Sequence, residues 1–89
     1  MIKSTITISN KLGLHARASA KLTKLAGSFQ SDVFMTRNDR RINAKSIMGV
    51  MMLAAGMGTE VEIEVSGPDE QPAMDALRHL IDDKFGEAE

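Results

Sequence analysis

Apolar residues fall on alternate positions at the start of the chain: Ile2, Ile6 and Ile8 share one parity, and Lys3, Thr5 and Thr7 the other. That period of two predicts a strand over 2–8 with one wet face. "NKLG" then turns the chain, and from Ala16 the period changes. Ala18, Leu22, Leu25 and Ala26 stripe one side of a helix that Gly27 ends. "SDVFMTR" at 31–37 and "RRINA" at 40–44 predict two further strands. Asn38 and Asp39, which tolerate the left-handed backbone region, form the tight turn between them. "KSIMGVMMLAAG" reads as a short helix opened by Ser46 as N-cap and closed near Gly56. "TEVEIEVS" alternates most cleanly, with Val61, Ile63 and Val65 on one face and Glu60, Glu62 and Glu64 on the other. A last helix is predicted from Glu70 to Phe85, capped by Asp69. Pro72 sits in its first turn, where a missing N–H costs least, and Ala73, Leu77, Leu80, Ile81 and Phe85 face inward.

The order is β-α-β-β-α-β-α. Alternating strands imply an antiparallel sheet with one solvated face, so the helices must cover the other: a two-layer α/β (α+β) sandwich. The 89 residues suffice for one small domain, 1–89. A formal charge of -1 and an aromatic content of 3% argue against nucleic acid as partner, since neither a basic footprint nor stacking platforms are present. Without cysteine, a reducing cytoplasm is the expected location. The alternating N-terminus does not read as a signal peptide, and no segment approaches the ~20 apolar residues of a membrane span. Two histidines far apart and no cysteine leave no soft-metal site, and His79, between Leu77 and Leu80, is placed at the solvent boundary without chemistry.

The stretch "GLHARASA", residues 13–20, carries the candidate chemistry. With a helix starting near Ala16, His15 stands at the N-cap, where backbone N–H groups lack internal partners and the helix dipole adds positive potential. Such a mouth binds phosphate, and Arg17 adds a permanently charged bidentate donor. The same dipole disfavours imidazolium by ~0.3–1 kcal/mol, which favours the neutral, nucleophilic ring. A free ring before transfer and a dianion afterwards suit a phosphoryl carrier. Taken alone, a histidine near a helix start is more often a surface or capping residue.

"GLHARASA" resembles the active-site motif of the HPr family, the histidine phosphocarriers of the phosphoenolpyruvate-dependent sugar phosphotransferase system. "KSIMGVMML" resembles the second motif of that family, around its regulatory serine. Both stand where the family has them, and the element order agrees along essentially the whole chain. The resemblance implies an open-faced sandwich, with a four-stranded antiparallel sheet and three helices on one face. It implies that His15 is phosphorylated through Nδ1, with Arg17 and the Ala16 region binding the phosphate. It also implies that enzyme I is the donor and an enzyme IIA domain the acceptor, and that the carrier is a monomer that needs no metal or organic cofactor. Many members have proline where Ala18 stands; alanine is compatible with the helix.

Serine ahead of an apolar helical run is ordinarily an N-cap. By resemblance, Ser46 is also the target of the HPr serine kinase/phosphorylase, and a phosphoserine is electrostatically welcome at a helix N-terminus. On this helix Ile47, Met48, Met51 and Met52 share one side, while Val50, Leu53 and Ala54 share another. A short helix in a two-layer domain cannot bury both. The second set suits the core, so the first, with Ala20, Lys24 and Lys45, forms the expected docking surface. Arg17, Lys24 and Lys45 supply a basic rim that steers acidic partners. Two other readings stay open: a nitrogen-related or purely regulatory paralogue, and a non-catalytic protein-binding domain that uses the methionine patch alone.

Overall fold

The structure, a computed structural model, describes residues 1–87. The elements are β1 (Ile2–Thr7), α1 (Ala16–Gly27), β2 (Asp32–Arg37), β3 (Arg40–Asn43), α2 (Ile47–Met52), β4 (Glu60–Ser66) and α3 (Glu70–Asp82), closed by a 3-10 turn, Lys84–Gly86. The expected α+β sandwich is what the chain adopts, in the order read from its periodicity.

The four strands form one sheet in the order β1-β4-β2-β3, and every pairing is antiparallel. β1 and β2 therefore run parallel with β4 inserted between them. Register follows the pleat: Ile63 faces Ser4 and Met35, and Val65 faces Ile2 and Val33. One sheet face thus meets Leu22, Ala26, Val50, Ala73, Leu77 and Ile81 in a common core. The other face stays open and carries Glu60, Glu62 and Glu64. The hairpin tip is the two-residue loop expected at Asn38 and Asp39, with φ of 49° and 65°, the doubly positive turn that matches strand twist.

Element ends differ from the periodic reading in ways local chemistry explains. α2 stops at Met52, not near Gly56, because Ala54 takes φ 52°. Ala54 is consequently exposed, and Ala55, 2% exposed, enters the core in its place. Arg37 and Arg40 donate to the carbonyls of Leu53 and Met52 at 2.8 and 2.9 Å, satisfying acceptors that the short helix leaves open. α3 ends at Asp82 rather than Phe85, since Lys84 and Phe85 adopt positive φ, yet Phe85 is buried as expected. Asp69 stands at the N-cap of α3 without capping it. Its carboxylate accepts instead from the Gln30 and Ser31 amides at 2.9 Å and from the Ser31 hydroxyl, tying the α1–β2 loop to the start of α3. No helix among the described residues is long and apolar enough to cross a membrane.

Candidate functional site

His15 occupies the N-cap of α1 in an extended conformation, and no side chain caps the helix. Its carbonyl accepts the Ser19 amide at 2.8 Å, so the helical ladder begins there. The amides of Ala16, Arg17 and Ala18 precede that first bond and have no acceptor within the helix. Ala16 and Arg17 are exposed, Ala18 is fully buried, and Arg17 makes no hydrogen bond or ion pair among the described residues. The mouth is thus anchored in the core at Ala18 while Ala16 and Arg17 stand at the surface.

Gly13 sets the approach to this mouth. It takes φ +66°, and a Cβ there would stand 2.5 Å from the Ala55 carbonyl oxygen. That close approach lets the Leu14 amide donate to the Ala55 carbonyl at 2.9 Å, which joins the loop before α1 to the loop after α2. The fully buried Asn10 donates from Nδ2 to the Gly13 carbonyl at 2.9 Å.

Asn10 Nδ2 also donates to Glu87 Oε1 at 3.0 Å, and Glu87 Oε2 lies 2.5 Å from His15 Nε2. Sequence periodicity gave no hint of Glu87, which follows the last helix. The 3-10 turn delivers it: Phe85 plugs into the core and Gly86 takes φ 77°. The Phe85 carbonyl accepts Lys21 Nζ at 2.6 Å, fastening the turn to α1. The Asn10 amide first, and then the His15 ring, hold the Glu87 carboxyl below the usual carboxylate range. An ionised carboxylate only accepts, so the proton in the 2.5 Å bond belongs to Nε2. In the neutral ring the lone pair is then on Nδ1. Besides the helix dipole at its own residue, the imidazole thus has a carboxylate on its Nε2 edge.

Ser46 caps α2 as expected, its Oγ accepting the Gly49 amide at 3.2 Å. Ile47, Met48, Met51 and Met52 are exposed, whereas Val50 and Leu53 are buried, so the division of the helix into two sides holds except at Ala54. Ala20 and Lys24 are exposed on α1. Lys45 is half-buried and donates from Nζ to the Phe29 carbonyl at 3.0 Å, so the structure engages it in a loop contact as well. His79 is exposed on α3.

Residues 2–83 match the model of the family described as PTS HPr component phosphorylation site. The chain belongs to the PTS HPr family. Over the whole length of both chains it is 66% identical to the phosphocarrier protein HPr of Cupriavidus necator, and 58% identical to that of Neisseria meningitidis serogroup B. The crystal structure of HPr-C-His from Thermoanaerobacter tengcongensis superposes with a TM-score of 0.96 at 43% identity, covering all of both chains. An HPr dimer from the same organism matches with a TM-score of 0.79 at 44% identity, over 98% of this chain and 100% of that one. As an HPr protein, the chain is a phosphocarrier of the phosphotransferase system. Glu87 lies outside the residues matched by the HPr family model.

Proposed function

We propose that His15 accepts a phosphoryl group from phosphorylated enzyme I and passes it to a histidine of an enzyme IIA domain. One observation supports this reading: the Glu87 carboxylate engages Nε2 of a histidine that stands at the N-cap of α1, which in the neutral ring leaves Nδ1 as the nucleophile. In the first step Nδ1 attacks phosphorus in line, an N–P bond forms, and the N–P bond to the donor histidine breaks. The amides of Ala16 and Arg17 and the Arg17 guanidinium receive the phosphate oxygens as fixed donors. Glu87 keeps the proton on Nε2 and faces the positive charge that the ring gains on substitution. Transfer onward reverses the sequence. The carrier works as a monomer in the cytoplasm, docking through Ala20, Lys24, Lys45, Ile47, Met48, Met51 and Met52.

Ser46 adds regulation by the HPr serine kinase/phosphorylase. A phosphoserine brings roughly two negative charges to the start of α2, where the helix tolerates them and an acidic partner does not. Incubation with phosphoenolpyruvate, magnesium and enzyme I tests the whole assignment. An acid-labile, alkali-stable phosphate that vanishes in His15→Ala is expected. No label on the wild type would leave a binding module that uses the methionine patch alone. Ser46→Ala retains that label and loses the ATP-dependent one made by the serine kinase; retention of the second would move regulation elsewhere.

A further inference from the structure

The chain has seven methionines and no cysteine, tryptophan or tyrosine, so thioethers are its softest targets for two-electron oxidants. The fold divides them sharply. Met35 and Met74 are 0% and 2% exposed, whereas Met48, Met51, Met52 and Met57 are 67%, 40%, 55% and 63% exposed. Met48, Met51 and Met52 lie at i, i+3 and i+4 on α2. Met57, two residues after Ala55, follows in the loop whose Ala55 carbonyl holds the Leu14 amide of the segment that leads into His15. Met1 is also exposed, but at the opposite end of β1.

We propose that this methionine band is a site of reversible oxidation by hydrogen peroxide that uncouples the carrier from its phosphoryl donor. The inference rests on the docking role given above to Met48, Met51 and Met52. A sulfur lone pair attacks one peroxide oxygen, the S–O bond forms and the O–O bond breaks. Sulfur loses two electrons, and the departing hydroxide takes the proton that the attacked oxygen sheds and leaves as water. The sulfoxide oxygen is a strong acceptor that an apolar contact strips of water, so each product converts a docking group into a repelling one. The core is spared because its methionines are out of reach.

The intact protein is treated with hydrogen peroxide, and sulfoxides are assigned by peptide mass. Enzyme I-dependent phosphorylation is then read at subsaturating donor, before and after treatment with methionine sulfoxide reductases. Sulfoxides should form at 48, 51, 52 and 57 before 35 and 74. Phosphorylation should fall by about ten-fold, with the unfolding midpoint little changed, and the reductases should restore it. In the Met48→Leu/Met51→Leu/Met52→Leu variant, compared only with its own untreated state, peroxide should have a much smaller effect. Unchanged transfer by oxidised wild type, equal loss in the leucine variant, or loss that reductases do not reverse each overturns the proposal. Absence of phosphorylation in the untreated protein is a different result: it overturns the carrier reading, and this proposal with it.

Discussion

Glu87 shows how much a single side chain adds to the site. Its carboxyl is held below the ordinary range by Asn10 and then by His15, so the ionised form is favoured more in the folded chain than in the unfolded one. A lowered folded value contributes stability that is fully present above the unfolded carboxylate value and is lost as pH falls through the folded one. The stability difference between wild type and Glu87→Gln is therefore expected to be largest near neutral pH. It should shrink steadily below about pH 4. Urea unfolding across that range measures it, and a pH-independent difference would remove the ionised carboxylate from the account. The same variant should accept phosphate about ten-fold more slowly, as when a histidine loses the group that orients it. The chemistry assigned to His15 and Arg17 came from the likeness of "GLHARASA" to the family motif; that His15 stands at a helix start, with Arg17 in the first turn, was legible from the change of period at Ala16. Glu87 was not, because its position depends on three consecutive positive-φ residues, Lys84, Phe85 and Gly86, that no periodicity encodes.

At the scale of the element, α2 is the clearest case of one short segment serving several ends. Six residues make little more than a turn and a half, too few to hold a helix by propensity. Val50 and Leu53 anchor it in the core, Ser46 caps its amide end, and the hairpin arginines Arg37 and Arg40 satisfy its carbonyl end. Ser46→Ala should lose about 1 kcal/mol of stability through the missing cap. Ser46→Asp should keep the wild-type value or exceed it, since aspartate caps equally well and its charge suits the dipole. Phosphorylation by enzyme I should rank differently: near wild type for the alanine variant and slower for the aspartate one. Denaturation and transfer assays on the same samples separate the two effects. If both variants track stability alone, the charge at Ser46 has no part in docking. The capped start of this helix was readable in "KSIMGV", but its end was not, because Ala54 in the left-handed region breaks a pattern that an alanine would ordinarily continue.

Across the whole molecule, periodicity identified the strands but left their order open. A strand's alternation fixes which face is wet and says nothing of its neighbour. β4, last in sequence, fills the slot between β1 and β2, a pairing set by the global packing of α1 and α3 over the sheet. That order has an electrostatic result that a net charge of -1 conceals. Glu60, Glu62 and Glu64 lie on the open sheet face, and Arg17 and Lys24 lie on the opposite, helical side, at the first and last turns of α1. In the docking proposed above, Arg17 and Lys24 form the basic edge that meets partners. Lys24 is exposed in the last turn of α1. Reversing it to glutamate loses a favourable helix-end interaction of about 0.3–1 kcal/mol and little else. Steering should suffer more: Lys24→Glu is expected to slow transfer from enzyme I several-fold at low salt, through association rather than the chemical step. The gap should close as salt is raised, because the screening length falls from ~10 Å at 0.1 M to ~3 Å at 1 M. Stopped-flow transfer measured at both ionic strengths, beside an unfolding curve, decides it. A rate defect that survives high salt with the fold intact would mean that Lys24 acts by direct contact, and that the basic edge does not guide the encounter.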